Sequence, residues 1–448
     1  MLKKFFQYII PSTLAFVFCG LYSIVDGFFV GQNVGDAGLA AINIAYPLAA
    51  LIQSIGTGIG MGGAIQISIS RGKGDTVQEH RFLGNTLTLL LITGAVLMGA
   101  LLAVSRPALI LFGAQGQVLE YAIRYIRIFF TGALFQILAN GCIPLLRNYG
   151  AATLAMGAMI AGFVTNILLD ALFVSILHFG IDGAAWATTI SQAVTTVPCI
   201  LFLSKKIKQM DRSIFRPKKK TLSQIVKVGI SPFGLVMSPN IVVILINKNA
   251  AIYGGEVAVA AYAVIAYFLP IVLLMLQGIG DGSQPLISFH YGKGEVREVR
   301  QVRKWTYIAS VLVAVLNVGL VYLIREYIPA FFGASEQVAE TVVQALPLFA
   351  IGAVFVAVCR ATTSYFYAIR ENLPAYILVY GEAVILIVLL LFGFPRLWGI
   401  WGVWISVPVT QFLLMLCALL LLLREKGKAH SASTESAASC EEGLTEEV

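Results

Sequence analysis

Apolar runs long enough to cross a bilayer follow one another along almost the whole chain, and nothing constrains its fold more. They fall at about 10–31, 38–67, 82–104, 121–146, 153–177, 183–204, 224–250, 257–288, 304–324, 340–368, 374–394 and 400–423, twelve in all. A membrane-crossing helix needs roughly 20 mostly apolar residues, and hydrocarbon offers no water to satisfy an open backbone. The expected fold class is therefore an all-α polytopic membrane protein with twelve transmembrane helices. Composition agrees: 58% of the 448 residues are hydrophobic and 12% are charged, against roughly 25% charged in soluble domains. The opening MLKKFFQYII imitates a signal peptide, but its apolar run continues past signal length, which predicts an uncleaved first span.

Basic residues set the expected topology, because Lys and Arg stay on the cytoplasmic side of short loops. One side of the predicted membrane holds Lys3 and Lys4, the Arg71–Arg81 turn, Arg147, the Lys- and Arg-rich stretch 205–220, the 293–304 turn, Arg370 and the residues after Arg424. The other holds only Arg106, Lys248, Arg325 and Arg396. Both termini are thus expected in the cytoplasm, with the chain multi-pass in the plasma (inner) membrane. The net charge of +8 is then a topology signal that calls for no nucleic-acid partner. Five of the six cysteines lie in apolar runs without a CxxC pair, so neither a disulfide framework nor a metal centre is indicated.

The chain also repeats itself. At a shift of 220, RGKGD at 71–75 meets YGKGE at 291–295, GIGMG at 58–62 meets GIGDG at 278–282, and LFGAQGQVLE at 111–120 meets FFGASEQVAE at 331–340. Near the ends the shift is 219, with Gly180, Gly183 and Gln192 meeting Gly399, Gly402 and Gln411. Six spans per copy is an even number, so both halves enter the membrane in the same direction, a 6+6 parallel repeat. The expected units are an amino-terminal lobe (1–204), a basic cytoplasmic linker (205–223), a carboxy-terminal lobe (224–424) and a disordered polar tail (425–448). Gly58 to Gly63 satisfies GxGxxG, but no strand precedes it. Glycines four apart there, and at Gly278 and Gly282, read as close helix packing instead.

Polar residues present in one copy and absent from the other point to a function held by one lobe. Asp26, inside LYSIVDGFFVG, maps to Ile246. Asn166 and Asp170 stand one helical turn apart in the fifth span, and Thr188 opens the sixth; all three map to aliphatic residues. Counted from the predicted span ends, Asp26, Asp170 and Thr188 lie roughly 8–10 Å below the outer boundary. They can meet in one layer, as a hard-oxygen site for a small cation or as a carboxyl pair that carries a proton. A satisfied packing network is the plainer alternative. Arg360 in the tenth span and Glu382 in the eleventh are expected to form a structural ion pair. Asp281 has no acidic partner in the other copy. The histidines (His80, His178, His290, His430) fall in loops, span ends or the tail, and no catalytic constellation emerges.

Twelve spans as 6+6, LYSIVDGFFVG, the FGA turns after spans three and nine, NILLD, GIDGAAWAT and DGSQPLISFHYGKG together resemble the multidrug and toxic compound extrusion (MATE) family over residues 1–424. The resemblance implies a V-shaped pair of six-helix lobes and a monomeric antiporter with no cofactor. It implies exchange of H⁺ or Na⁺ for amphipathic, often cationic small molecules by alternating access. Asp26, Asn166, Asp170 and Thr188 match the amino-lobe cation site of the family's prokaryotic branch, and Pro11 matches a proline where span one bends. The branch with a second-lobe site uses acids in spans seven and ten. Here span seven has none, and span ten offers Arg360. A flippase of lipid-linked precursors and an integral membrane enzyme are the alternative readings.

Overall fold

α1 (Leu2–Val34) and α2 (Asp36–Lys73) meet at Gly35, and α3 (Thr76–Leu111) follows the Gly-Lys-Gly turn. α4 (Gly116–Thr131) and α5 (Ala133–Asn148) form one span bent by 58°. α6 (Ala152–Asp170), a π-helical turn (Ala171–Ile176) and α7 (Gly180–Ile207) complete the first half. The second half comprises α8 (Lys219–Lys293), α9 (Val296–Ile324), the short α10 (Tyr327–Phe331), α11 (Glu336–Ala368), α12 (Asn372–Phe392) and α13 (Phe394–Thr445). This computed structural model describes residues 1–208, 210–331 and 334–445.

α8 holds 75 residues, and at ~1.5 Å each such a helix is about 110 Å long, over three times a hydrocarbon core of ~30 Å. It is two spans divided at Gly255, where φ is 63° and ψ is −155°. Gly255 is the repeat mate of Gly35 (φ 78°), so the same glycine turn joins spans one and two and spans seven and eight. With that division and the bent pair counted once, each half contributes six spans.

Pro11 lies inside α1, which runs as one helix from Leu2 to Val34. Two expectations need correction. The fourth span is broken at Gly132, where a Cβ would lie 2.4 Å from Thr189 Cγ2, so glycine lets the bend close on α7. The expected tail is helical as far as Thr445, an Ala- and Glu-containing stretch with good helix formers. Residues 446–448 lie outside the described residues.

The Gly-Lys-Gly turns explain themselves mechanically. Gly74 ends α2 in the left-handed region (φ 72°), and Asp75 caps α3 by accepting from the Gln78 N–H at 2.9 Å. Gly294 (φ 76°) repeats the left-handed stop. The basic linker is tied down as well. Asn85 of α3 donates to Ile214 O at 2.9 Å and accepts from the Lys218 N–H at 2.9 Å.

Buried apolar side chains divide into clusters that define how the halves meet. One gathers Val30, Ala41, Ile52, Phe130 and Ala184 almost wholly from the first half. Another gathers Ile246, Ala258, Val342, Phe349 and Trp404 from the second. A third is shared: Phe5, Ile9, Met61, Ile65 and Ile69 pack with Val228, Leu286, Phe366 and Leu414. The shared cluster sits at the end that carries the Lys- and Arg-rich turns, here termed the basic face. Glycine makes the approach close there, since a Cβ on Gly62 would lie 2.2 Å from Ile225 O and one on Gly278 2.6 Å from Thr13 Cα. The lobes thus join at the basic face and hold separate cores toward the opposite end, which gives a V.

Candidate functional site

Asp26, Asn166, Asp170 and Thr188 come together inside the first lobe, where α1, α6 and α7 converge. Asn166 and Asp170 are fully buried, Thr188 nearly so, and Asp26 half-buried. The Asn166 amide, oriented to satisfy both its ends, donates to Asp170 Oδ2 at 2.9 Å and accepts from the Thr188 N–H at 3.2 Å. Thr188 donates its hydroxyl to Ala184 O at 3.0 Å, one turn back in α7. The carboxyl groups of Asp26 and Asp170 face each other within hydrogen-bonding reach. One oxygen of each, Oδ1 in both cases, is buried without a hydrogen-bond partner.

Local structure explains why Asp170 lies where it does. It is the last residue of α6, immediately before the π-helical turn, in which the Leu177 N–H donates to Leu172 O at 2.8 Å. Such one-turn widenings insert an extra residue and re-aim the side chains around them, often at functional sites. Nothing in NILLDALFVSI announces it. Helix approach is set one turn and more below, where Gly162 leaves room for Thr195; a Cβ there would lie 2.0 Å from its Oγ1.

Two tyrosines complete the surroundings. Tyr22 stands four residues before Asp26 on α1 and stacks on Phe163 of α6 at 5.2 Å and 11°. Tyr125 of α4, buried, lies beside Thr188. The i to i+4 spacing of Tyr22 and Asp26 was a legible signal; Tyr125 had none.

The remaining charged residues do not arrange as expected. Arg360 and Glu382 line one small cavity in the second lobe but form no ion pair. The Arg360 Nη1 donates to Gln277 Oε1 at 2.9 Å and Leu235 O at 3.4 Å, and Glu382 accepts from Gln411 instead. Backbone carbonyls and amides already satisfy both charges. Asp281 has a partner that sequence spacing hid: Arg147, counted above with the loop charges, is buried at the end of α5 with its Nη1 3.5 Å from Asp281 Oδ2. Arg124, near the start of α4, pairs with Asp182 of α7 (Nε to Oδ1, 3.1 Å).

Chemically the first-lobe site offers oxygen atoms and one amide donor. Among the described residues no group of three or more His, Cys, Asp or Glu gathers in a metal-binding arrangement. Two carboxylates in contact repel, and a single proton between them removes that repulsion.

Comparison with known proteins fits this architecture. The chain is 25% identical over 435 residues to the multidrug export protein MepA of Staphylococcus saprophyticus, spanning 95% of this chain and 94% of that protein. It is 23% identical to the protein of the same name from Staphylococcus haemolyticus, over 92% of each. Among solved structures, one described as a MATE in complex with MaL6 superposes with a TM-score of 0.88 at 24% identity, covering 96% of this chain and 97% of that one. An outward-facing multidrug resistance MATE family transporter of the MOP superfamily gives the same TM-score and identity over 96% of both chains. The sequence model of the MatE family matches twice, at residues 11–172 and 232–392, once in each lobe. A match that falls separately on each half of a chain whose fold repeats in those same halves makes this protein a member of the MatE family.

Proposed function

We propose that this protein exports amphipathic, cationic small molecules across the plasma membrane in exchange for H⁺, with both termini in the cytoplasm. The observation that carries the choice of ion is the contact of Asp26 with Asp170, each left with an unpartnered buried oxygen. A proton fits that gap. A hard cation is held by oxygen ligands alone, whereas Asn166 turns its NH₂ toward Asp170 and spends its oxygen on the Thr188 N–H. Export of drug-like molecules is supported by the names of the relatives. The placement of the basic face toward the cytoplasm is supported by the Lys and Arg asymmetry, which makes the V outward-open.

The cycle follows. In the outward-open state a proton settles between Asp26 and Asp170 and favours the conformation that has let its substrate go. Closure outside and opening at the basic face expose the pair to the cytoplasm, where the proton leaves and a substrate enters. Proton and substrate must therefore favour different states, and each weakens the other by the same factor.

Substrate affinity of the purified protein, measured from about pH 6 to about pH 8 with and without Na⁺, tests this. Affinity should rise with pH by about 5–150-fold, the range of ordinary coupling free energies, and ignore Na⁺. A response to Na⁺ alone would overturn proton coupling, and a response to neither would overturn antiport.

A further inference from the structure

Arg147 and Asp281 form a buried ion pair across the two lobes, with 3% and 4% of the two side chains exposed. Arg147 belongs to the first lobe and Asp281 to the second, so opening the V at the basic face must part them. A carboxylate left buried without its cation costs several kcal/mol unless another cation replaces it. What surrounds Asp281 then decides which cation fits. The Tyr367 hydroxyl donates to its Oδ1 at 3.2 Å and the Gln277 amide at 2.9 Å. On the facing wall the Arg147 guanidinium lies over the Phe16 ring, 5.3 Å from its centroid. Carboxylate on one side and aromatic rings on both make a receptor for a delocalised organic cation, and Arg147 now occupies it as such a cation would.

We propose that Asp281, with Tyr367 and Phe16, forms a second substrate site that takes organic cations from the basic face, and that Arg147 is its built-in competitor. Opening frees the carboxylate and the substrate cation takes it. Closure returns Arg147, which is tethered and therefore always at high local concentration, and expels the substrate toward the opposite end. One further relation supports a shared function for the cluster: Arg147 and Tyr367 are repeat mates at the shift of 220, and both reach Asp281. The proposal rests on the export reading above but requires no particular coupling ion.

The test is gradient-free equilibrium binding to the full-length protein in lipid nanodiscs. Tetraphenylphosphonium is the cationic probe, and triphenylphosphine oxide is its neutral counterpart. Asp281→Asn should weaken tetraphenylphosphonium binding by about tenfold or more and leave the neutral probe unchanged. Arg147→Gln should tighten it by about fivefold or more, as removal of a competitor does. Arg147→Gln/Asp281→Asn, which leaves no lone buried charge, should bind the cation as weakly as Asp281→Asn. Wild-type affinity in the double variant, or an equal loss for both probes in Asp281→Asn, overturns the site. If efflux proves independent of Asp26 while cation binding still depends on Asp281, proton coupling falls and this site stands; the converse pattern removes this site alone.

Discussion

Asn148 and Gln284 face each other from opposite lobes and exchange a hydrogen bond in each direction, at 2.9 and 3.2 Å. Gln284 also donates to Ser288, whose hydroxyl continues to Ala368 O at 2.8 Å, so the pair anchors a buried chain of polar contacts. Gln284→Leu should leave the Asn148 amide short of a partner and destabilise the closed basic face by about 1–3 kcal/mol. A thermal-unfolding double-mutant cycle with Asn148→Leu should recover part of that loss. Strictly additive effects would contradict the contact.

Asp26→Asn and Asp170→Asn should each abolish gradient-driven efflux from vesicles while leaving folded, membrane-inserted protein. Glu382→Gln should be milder, since its carboxyl only accepts from Gln411. Normal efflux by either aspartate variant would remove the first-lobe site.

Gly62→Val should push the lobes apart where α2 meets α8, because the first added carbon already falls on Ile225 O at 2.2 Å. Overpacking of this kind costs typically ~1–3 kcal/mol. Spin labels placed on the two lobes at the basic face should show a longer distance in the variant, and an unchanged distance would refute the close approach.

Glu295, at the exposed turn after α8, pairs with His290 and Lys293, and these hold its carboxyl below the usual glutamate range, His290 most strongly. A depressed carboxyl contributes stability that is present above its unfolded value and is lost as pH falls through the folded one. Wild type and Glu295→Gln should therefore differ slightly at neutral pH and converge in acid, below the ordinary glutamate value of 4.5. Divergence on acidification would reverse the assigned sign.

The fold was legible because its main determinants are periodic. Run length sets the spans, and the shift of 220 predicts that Gly35 and Gly255 make the same turn. The repeat reaches further than the glycines themselves: Arg370, a non-glycine residue at φ 66°, is the mate of Gly150 at φ 88°. The first-lobe cluster could be read from one-sided polar residues at matching depth. The Arg147–Asp281 pair could not, because topology counting assigns every basic residue near a span end to a loop. Nor could the π-helical turn after Asp170, which depends on packing against α1 and α7 rather than on any local residue preference. The expected pairing of Arg360 with Glu382 failed since neighbouring amides and carbonyls reached each charge first.

The shared apolar cluster ties the order of synthesis to the order of assembly. Phe5, which is 1% exposed, rests its ring against Trp305 at 5.4 Å and belongs to a cluster that also needs Phe366 and Leu414. A ribosome makes Phe5 near the start and Leu414 near the end, so the first span must wait in the bilayer, its inner surface uncovered, until the later spans arrive. A nascent chain halted between the lobes would present that surface to whatever insertion factor or neighbouring helix stood nearest.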